Sequence, residues 1–184
     1  MESGSPEPSR PQGATPATGT ADALPAPARA PGRASHAIHV VDDQGVTVDT
    51  SRLRRLAAHV LTRLRVPAEL ELTVSYVDRA RIAELNEVHL GGTGPTDVLA
   101  FPIDAPDDVT AGVPGLLGDV VVCPEVAAAQ AGDHGRTLDG ELDLLLVHGI
   151  LHLLGHDHAE PEERAEMFGL TDTLLSEFAA AAVP

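Results

Sequence analysis

The 184-residue chain contains very little cysteine and no lysine at all. Cys123 is its only cysteine, which excludes an internal disulfide and a cysteine-rich zinc site. A chain without disulfides is typical of a reducing compartment. Because no apolar segment follows the acidic start of the sequence, we expect no secretory signal and a cytoplasmic protein.

Aromatic residues are also scarce, at 2% of the chain, although 43% of it is hydrophobic. The core must therefore consist of Leu, Val, Ala and Ile, and few rings remain for stacking on nucleic-acid bases. The longest apolar run, residues 144–154, is too short to cross a bilayer and is interrupted by histidine. We therefore expect no membrane partner.

Positive charge is limited, since 12 arginines face 28 acidic residues and the formal net charge is −16. Nonspecific binding to nucleic acid depends on cations that pair with phosphate, so this charge argues against it. A local basic groove remains compatible with the sequence. Five arginines fall on the first predicted helix: Arg52, Arg54, Arg55, Arg63 and Arg65. They form either a solvated face, which we favour, or one wall of an RNA groove.

Residues 1–35 are rich in Pro, Ala, Gly, Ser and Thr, a composition that predicts a disordered tail. A folded domain is predicted over residues 36–181, with elements in the order β-α-β-α-β-β-α-α-α. Thr50 or Ser51 is predicted to cap the first helix. These strands are too few and too irregular for a doubly wound sheet. They predict one α+β domain with a small mixed sheet of about four strands, packed by helices.

Histidines are concentrated in the most apolar segment of the chain. His148 and His152 lie four residues apart, so their rings share one face of a predicted central helix. Gly155 is placed to end that helix, and His156 or His158 beyond it can supply a third ligand. A single histidine in such a helix is usually a hydrogen-bonded core residue, but three at this spacing favour a metal site. Three nitrogen ligands with an open fourth position are typical of catalytic zinc, which lowers the pKa of bound water to about 7.

The same spacing matches the metzincin pattern HExxHxxGxxH at its histidines and its glycine. Gly149 occupies the position of the glutamate that serves these proteases as general base. This substitution argues against a protease of that kind and indicates that the zinc geometry serves another hydrolysis.

The segment "HGILHLLGHDH" at 148–158 closely resembles the HGxLHLxGYDH signature of the YbeY family of bacterial endoribonucleases and rRNA maturation factors. "GPTDVLAFPID" at 94–104 is similar to the PTDVLSFP segment of that family, and "LGDVVVCPEVAAAQA" at 117–131 to its LGDIxIxxxxAxxQA segment. "AELN" at 83–86 and "AEPEERAEMF" at 159–168 fit two further blocks. The resemblance covers residues from about 38 to 178.

This resemblance implies a single α+β domain in which His148, His152 and His158 bind one Zn²⁺ ion. It implies metal-dependent cleavage of single-stranded RNA, with either water or the 2′-OH of the RNA as nucleophile. The implied role is rRNA processing, including maturation of the 3′ end of 16S rRNA, and ribosome quality control. The implied partners are an rRNA precursor, the small ribosomal subunit and an Era-type GTPase.

The chain departs from the family pattern at two places. His89 and Leu90 stand where many members carry an aromatic residue followed by an arginine thought to contact phosphate, so the phosphate-binding group is unidentified. His156 replaces a tyrosine, and its role is unassigned. Asp97 and Asp119 lie in two of the segments that resemble the family. Each of them either orients water or a ligand at the metal site or only caps a turn.

Two other function classes remain open from the sequence. One is a zinc-dependent hydrolase of another kind, such as a peptidase. The other is a ribosome-assembly factor that acts mainly by binding, which the strong negative charge and the replacement of the family arginine favour.

Overall fold

The computed structural model describes residues 35–156 and 160–181. Residues 1–34, almost all of the predicted tail, lie outside the described part, as does His158. The described residues form an α+β domain, as predicted. None of the helices described in them is long and apolar enough to cross a membrane.

Four strands and five helices follow one another in the predicted order. The strands are β1 (Ile38–Asp43), β2 (Leu70–Val77), β3 (Val98–Pro102) and β4 (Gly115–Val122). The helices are α1 (Thr50–Arg63), α2 (Arg79–Leu90), α3 (Pro124–Asp133), α4 (Leu138–Leu153) and α5 (Pro161–Ala181). A short 3-10 turn at Pro106–Asp108 interrupts the loop before β4.

The four strands form one mixed sheet in the order β1-β2-β4-β3. β2 pairs in parallel with both β1 and β4, and β3 runs antiparallel to β4 at one edge. This arrangement confirms the predicted small mixed sheet and places β4, which precedes α3, in its interior.

The two faces of the sheet are covered unequally. Alternate residues of β2 are fully buried against the main core, which also contains residues of α1, α4 and α5. The opposite face holds a smaller apolar cluster in which Ile82 of α2 packs with Leu99 and Val121. α4 therefore lies between the sheet and neighbouring helices, and most of its residues are buried.

Close packing of α4 on the sheet depends on Gly149. A Cβ atom at this position would lie 2.6 Å from Cγ1 of Val120 on β4 and 3.4 Å from Cγ2 of Val98 on β3. Because glycine has no side chain there, the helix backbone comes close to the strands. His148 and His152 flank this contact, so the same approach brings both rings to the edge of the sheet.

The helix ends are set by local hydrogen bonds. Asp49 caps α1, with its carboxylate accepting the N–H of Arg52 at 2.9 Å, so the predicted cap at Thr50 or Ser51 was wrong by one or two residues. Aspartate caps as well as serine and better than threonine, and only at position 49 does the side chain lie where it accepts the N–H of Arg52. α4 ends at Leu153 and is capped by Leu154, and Gly155 then takes a φ of 84°, the left-handed conformation that glycine adopts readily, so it terminates the helix as predicted.

A partly buried ion pair joins α1 to α4. Arg52 donates two hydrogen bonds to the carboxylate of Asp143, and their side chains are 32% and 9% exposed. Burial raises the pKa of Asp143, and the contact with Arg52 opposes that rise. The expectation of a solvated arginine face is therefore wrong for Arg52, although Arg54, Arg55 and Arg65 are exposed.

We expect Arg52→Met to destabilise the fold by up to about 3 kcal/mol at neutral pH, because it leaves a buried carboxylate without its partner. Losing the arginine raises the pKa of Asp143 further, so the folded state takes up a proton more readily than the unfolded chain. The loss in free energy of unfolding relative to the parent should therefore grow as the pH rises above the ordinary pKa range of an aspartate. Urea unfolding at acidic and neutral pH measures it.

The double variant Arg52→Met, Asp143→Leu is the matched control, because it removes both charges and should recover most of the loss. A deficit for Arg52→Met that does not change with pH would show that lost packing, and not an uncompensated charge, is responsible.

Candidate metal centre and adjoining clefts

Two histidine rings from α4 converge on one point. The Nε2 atoms of His148 and His152 lie 3.2 Å apart, with the ring planes at 88° and the centroids 4.6 Å apart. Two nitrogen ligands of a tetrahedral zinc ion, each bound at 2.0–2.1 Å, are about 3.3 Å apart. The pair therefore has the spacing of two ligands of one ion. Without an ion, the same distance allows one ring to donate a hydrogen bond to the other.

Neighbouring elements hold these rings in place. Phe168 of α5 stacks on His148 with an angle of 20° between the rings and 6.3 Å between their centroids. Beyond His152, the N–H groups of Gly155 and His156 donate to the carbonyls of His152 and Leu151, both at 3.0 Å, which closes a Schellman motif. The chain thus turns sharply just past the second histidine.

The third ligand predicted by the resemblance, His158, lies outside the described residues, and its position stays a prediction. His156 is exposed at the end of the helix. Within residues 35–156 and 160–181, no group of three or more His, Cys, Asp or Glu residues is arranged to hold a metal ion. The described part of the chain therefore supplies two of the three predicted ligands.

A cleft of about 450 Å³ opens between the histidine pair, β3 and the end of α2. We call it the histidine cleft; its lining includes Leu90, Asp97, Val98, Pro102, His148 and His152. Leu90, which is 64% exposed, forms part of its wall. The position at which an arginine was expected therefore does face the cleft, but here it presents an apolar side chain. None of the described lining residues of this cleft is an arginine.

A second cleft, of about 500 Å³, lies on the other side of His148. We call it the arginine cleft; its lining includes His134, Arg136, Glu141, His148, Arg164 and Phe168. Asp97, Val98 and His148 border both clefts, and of the described lining residues only those of the arginine cleft include arginines, which two carboxylates, Asp97 and Glu141, accompany there. Sequence reasoning missed Arg136 and Glu141, although Glu141 lies seven residues before His148 and so on the same helical face.

Asp97 lies at the junction of the two clefts. Its Oδ1 accepts hydrogen bonds from the N–H of Val98 at 2.8 Å and the hydroxyl of Thr96 at 3.0 Å. Its carbonyl accepts the N–H of Cys123 at 2.8 Å. These bonds fix the turn before β3, and Asp97 lines the histidine cleft together with His148 and His152.

The structure does not bring Asp119 to the histidines. Side chains alternate along a strand, and Val120 faces α4, so Asp119 faces the α2 side of the sheet. There it lines a separate cleft of about 480 Å³, together with Arg81, His89 and Phe101. The sequence could not show this, because which face of β4 meets α4 depends on tertiary packing.

Comparisons with known proteins identify the family of this chain. The family model of "Endoribonuclease YbeY" matches residues 38–179. A protein of that name from Micrococcus luteus is 50% identical over 143 residues, which span 77% of this chain and 91% of the relative. Another from Thermobifida fusca is 49% identical over 144 residues, spanning 76% of this chain and 92% of the relative.

The fold is also similar to a solved structure. A solution structure of a Thermotoga maritima protein superposes with a TM-score of 0.51 and 26% identity, covering 79% of this chain and 93% of that one. The four sequence blocks around the histidines, the α+β fold and the match over residues 38–179 agree with one another. This chain belongs to the endoribonuclease YbeY family.

Proposed function

We propose that this chain is a zinc-dependent endoribonuclease that cleaves single-stranded RNA, with one Zn²⁺ ion held by His148, His152 and His158. The family makes the chain a hydrolase that acts on RNA. The observation that carries the zinc proposal is the 3.2 Å between the two Nε2 atoms, at the wall of a cleft. A zinc ion at that point would polarise a phosphate oxygen or activate water for hydrolysis.

The residues around this point have distinct tasks in the proposal. His148 and His152 direct their Nε2 atoms to one place, and the stacking of Phe168 limits rotation of the His148 ring. Asp97, fixed by hydrogen bonds to its Oδ1, presents a carboxylate between the two clefts, where it can orient water or a ligand ring. The clefts on either side of His148 provide a path for a strand of RNA across the site.

We propose that this activity serves rRNA processing in the cytoplasm, including maturation of the 3′ end of 16S rRNA, and ribosome quality control. The proposed partners are an rRNA precursor, the small ribosomal subunit and an Era-type GTPase. Support comes from the resemblance of the sequence blocks that surround the histidines. With a formal net charge of −16, recognition of RNA must depend on local cations and not on overall attraction.

A peptidase is the second candidate, because the histidine spacing matches that of zinc proteases. Gly149 argues against it in two ways. The position lacks the glutamate that would act as general base, and a side chain there would collide with Val120. A factor that acts by binding alone is the third candidate, and the apolar Leu90 in the cleft wall favours it.

We expect His152→Ala to lose zinc and RNA cleavage together. Zinc content should fall from one ion per chain to nearly zero, because the variant lacks one of three ligands. The cleavage rate should fall by about three orders of magnitude or more, since a catalytic metal supplies several kcal/mol of transition-state stabilisation. Metal analysis and cleavage of a labelled single-stranded RNA, with and without chelator, measure both.

His39→Ala is the control, because it removes an exposed histidine that pairs with Glu71 on the sheet. Far-ultraviolet circular dichroism establishes that each variant is folded. Full cleavage by a folded, zinc-free His152→Ala would overturn the proposal. RNA binding without turnover by the zinc-loaded parent would favour the binding factor, and hydrolysis of peptides in place of RNA would favour the peptidase.

The third ligand is tested by comparing two histidines at the end of α4. We expect His158→Ala to lose zinc and cleavage, and His156→Ala to keep both, because His156 is exposed and its backbone closes the helix. The same metal analysis and RNA assay measure the pair. The reverse pattern would assign the third ligand to His156.

A further inference from the structure

Positive charge is distributed unevenly around the histidine pair. The described residues that line the histidine cleft include no arginine, whereas Arg136 and Arg164 line the arginine cleft, together with the carboxylates of Asp97 and Glu141. An RNA strand carries a phosphate at every nucleotide, and each one bound by a protein needs a cation or several N–H donors. The chain has twelve arginines and no lysine, and two of these arginines line a cleft beside the histidine pair.

A buried carboxylate holds Arg136 in this cleft. The side chain of Glu141 is only 2% exposed, and its Oε2 accepts a hydrogen bond from Nη1 of Arg136 at 3.1 Å. Its Oε1 lies 3.0 Å from Nδ1 of His134. Burying a carboxylate is unfavourable unless its partners compensate, so Glu141 binds both groups firmly.

The guanidinium remains accessible in this arrangement. Arg136 is 43% exposed, and the bond to Glu141 uses one of its five N–H donors. A guanidinium matches phosphate in geometry and binds it through two parallel hydrogen bonds. The guanidinium of Arg136 is therefore held by Glu141 through one N–H group, and its other N–H donors are available to a ligand.

The backbone that carries Arg136 is also fixed. Its N–H donates to the carbonyl of Ala131 at 2.8 Å, after Gly135 with a φ of 65°. The hydroxyl of Thr137 then caps α4 by accepting the N–H of Gly140 at 3.2 Å. The arginine thus lies on a short, hydrogen-bonded connection between α3 and α4.

The position of this group relative to the histidines suits an extended strand. Glu141 and His148 are seven residues apart, about two turns or 10 Å along the same face of α4. Phe168 lies in the same cleft, with one side of its ring near His148 and about half of its surface exposed. In a chain with only three phenylalanines and one tyrosine, an exposed ring at this place offers a stacking surface for a base.

We propose that the arginine cleft is an RNA-binding subsite in which Arg136, positioned by Glu141, binds a phosphate next to the scissile one and Phe168 stacks on a base. The proposal rests on the proposed function, because it assigns a binding role to residues beside the same metal centre. In this proposal the phosphate-binding group lies on the α3–α4 connection. The wall of the histidine cleft that α2 provides carries Leu90 in place of an arginine.

The test is equilibrium binding of a fluorescein-labelled, single-stranded 2′-O-methyl RNA, which resists cleavage, to the zinc-loaded full chain at several salt concentrations. We expect Arg136→Gln to weaken binding about tenfold, because it removes one charged phosphate contact. The slope of log K against log salt should fall by about 0.7. Arg136→Lys should recover part of the affinity and the full slope, since lysine keeps the positive charge but lacks the paired N–H donors of the guanidinium.

Arg63→Gln is the matched control, since Arg63 also pairs with a glutamate, Glu177, but on the surface formed by α1 and α5. It changes the net charge equally and should leave affinity and slope unaltered. On a cleavable RNA, Arg136→Gln should raise KM more than it lowers kcat, with zinc content unchanged. Glu141→Gln should show the same pattern in milder form, because it loosens Arg136 without removing it.

Unchanged affinity and slope in Arg136→Gln would overturn the subsite, as would an equal loss in Arg63→Gln, which would indicate a general charge effect. These outcomes leave the proposed function intact if the parent cleaves RNA. A parent that binds RNA through Arg136 and does not cleave it would contradict the proposed function alone.

Discussion

The structure depends on the close packing of α4 against the sheet. This helix is apolar on most of its surface and lies within the main core, yet it must also carry polar side chains to a cleft. Gly149 satisfies both demands, because the absence of a side chain lets the helix backbone approach Val120 on β4. The adjacent face of the helix is then held at the edge of the sheet, beside β3.

That face of α4 carries three polar side chains at helical spacing: Glu141, His148 and His152. Each is compatible with an apolar helix because it has a polar partner. The two histidines lie at a spacing suited to one shared ion, and Glu141 binds Arg136 from the preceding loop. One helix therefore positions both a candidate metal centre and a candidate phosphate-binding group, about 10 Å apart along its axis.

Much of the fold followed from sequence patterns that depend on local geometry. Alternation in β2 and the i, i+4 spacing of His148 and His152 reflect the periods of strand and helix, which tertiary packing did not alter. Gly155 ended α4 because a left-handed residue is needed there, and glycine adopts that conformation most easily.

Features that depend on long-range contacts were not predicted. The pairing of Arg52 with Asp143 joins residues 91 positions apart, and no local pattern indicates it. The orientation of Asp119 depended on which face of β4 receives α4. The cap of α1 is Asp49, one residue before Thr50. The sequence offers Asp49, Thr50 and Ser51 as similar caps, and only the folded backbone decides among them.

The central claim is that His148 and His152 share one ion. X-ray absorption at the zinc edge of the zinc-loaded chain tests it most directly, since it reports the type and distance of the atoms bound to the metal. The account predicts imidazole nitrogens at about 2.0–2.1 Å from three rings in the parent, and almost no zinc signal from His152→Ala, which loses the metal. A spectrum dominated by carboxylate or water oxygen, or one unchanged by His152→Ala, would contradict it.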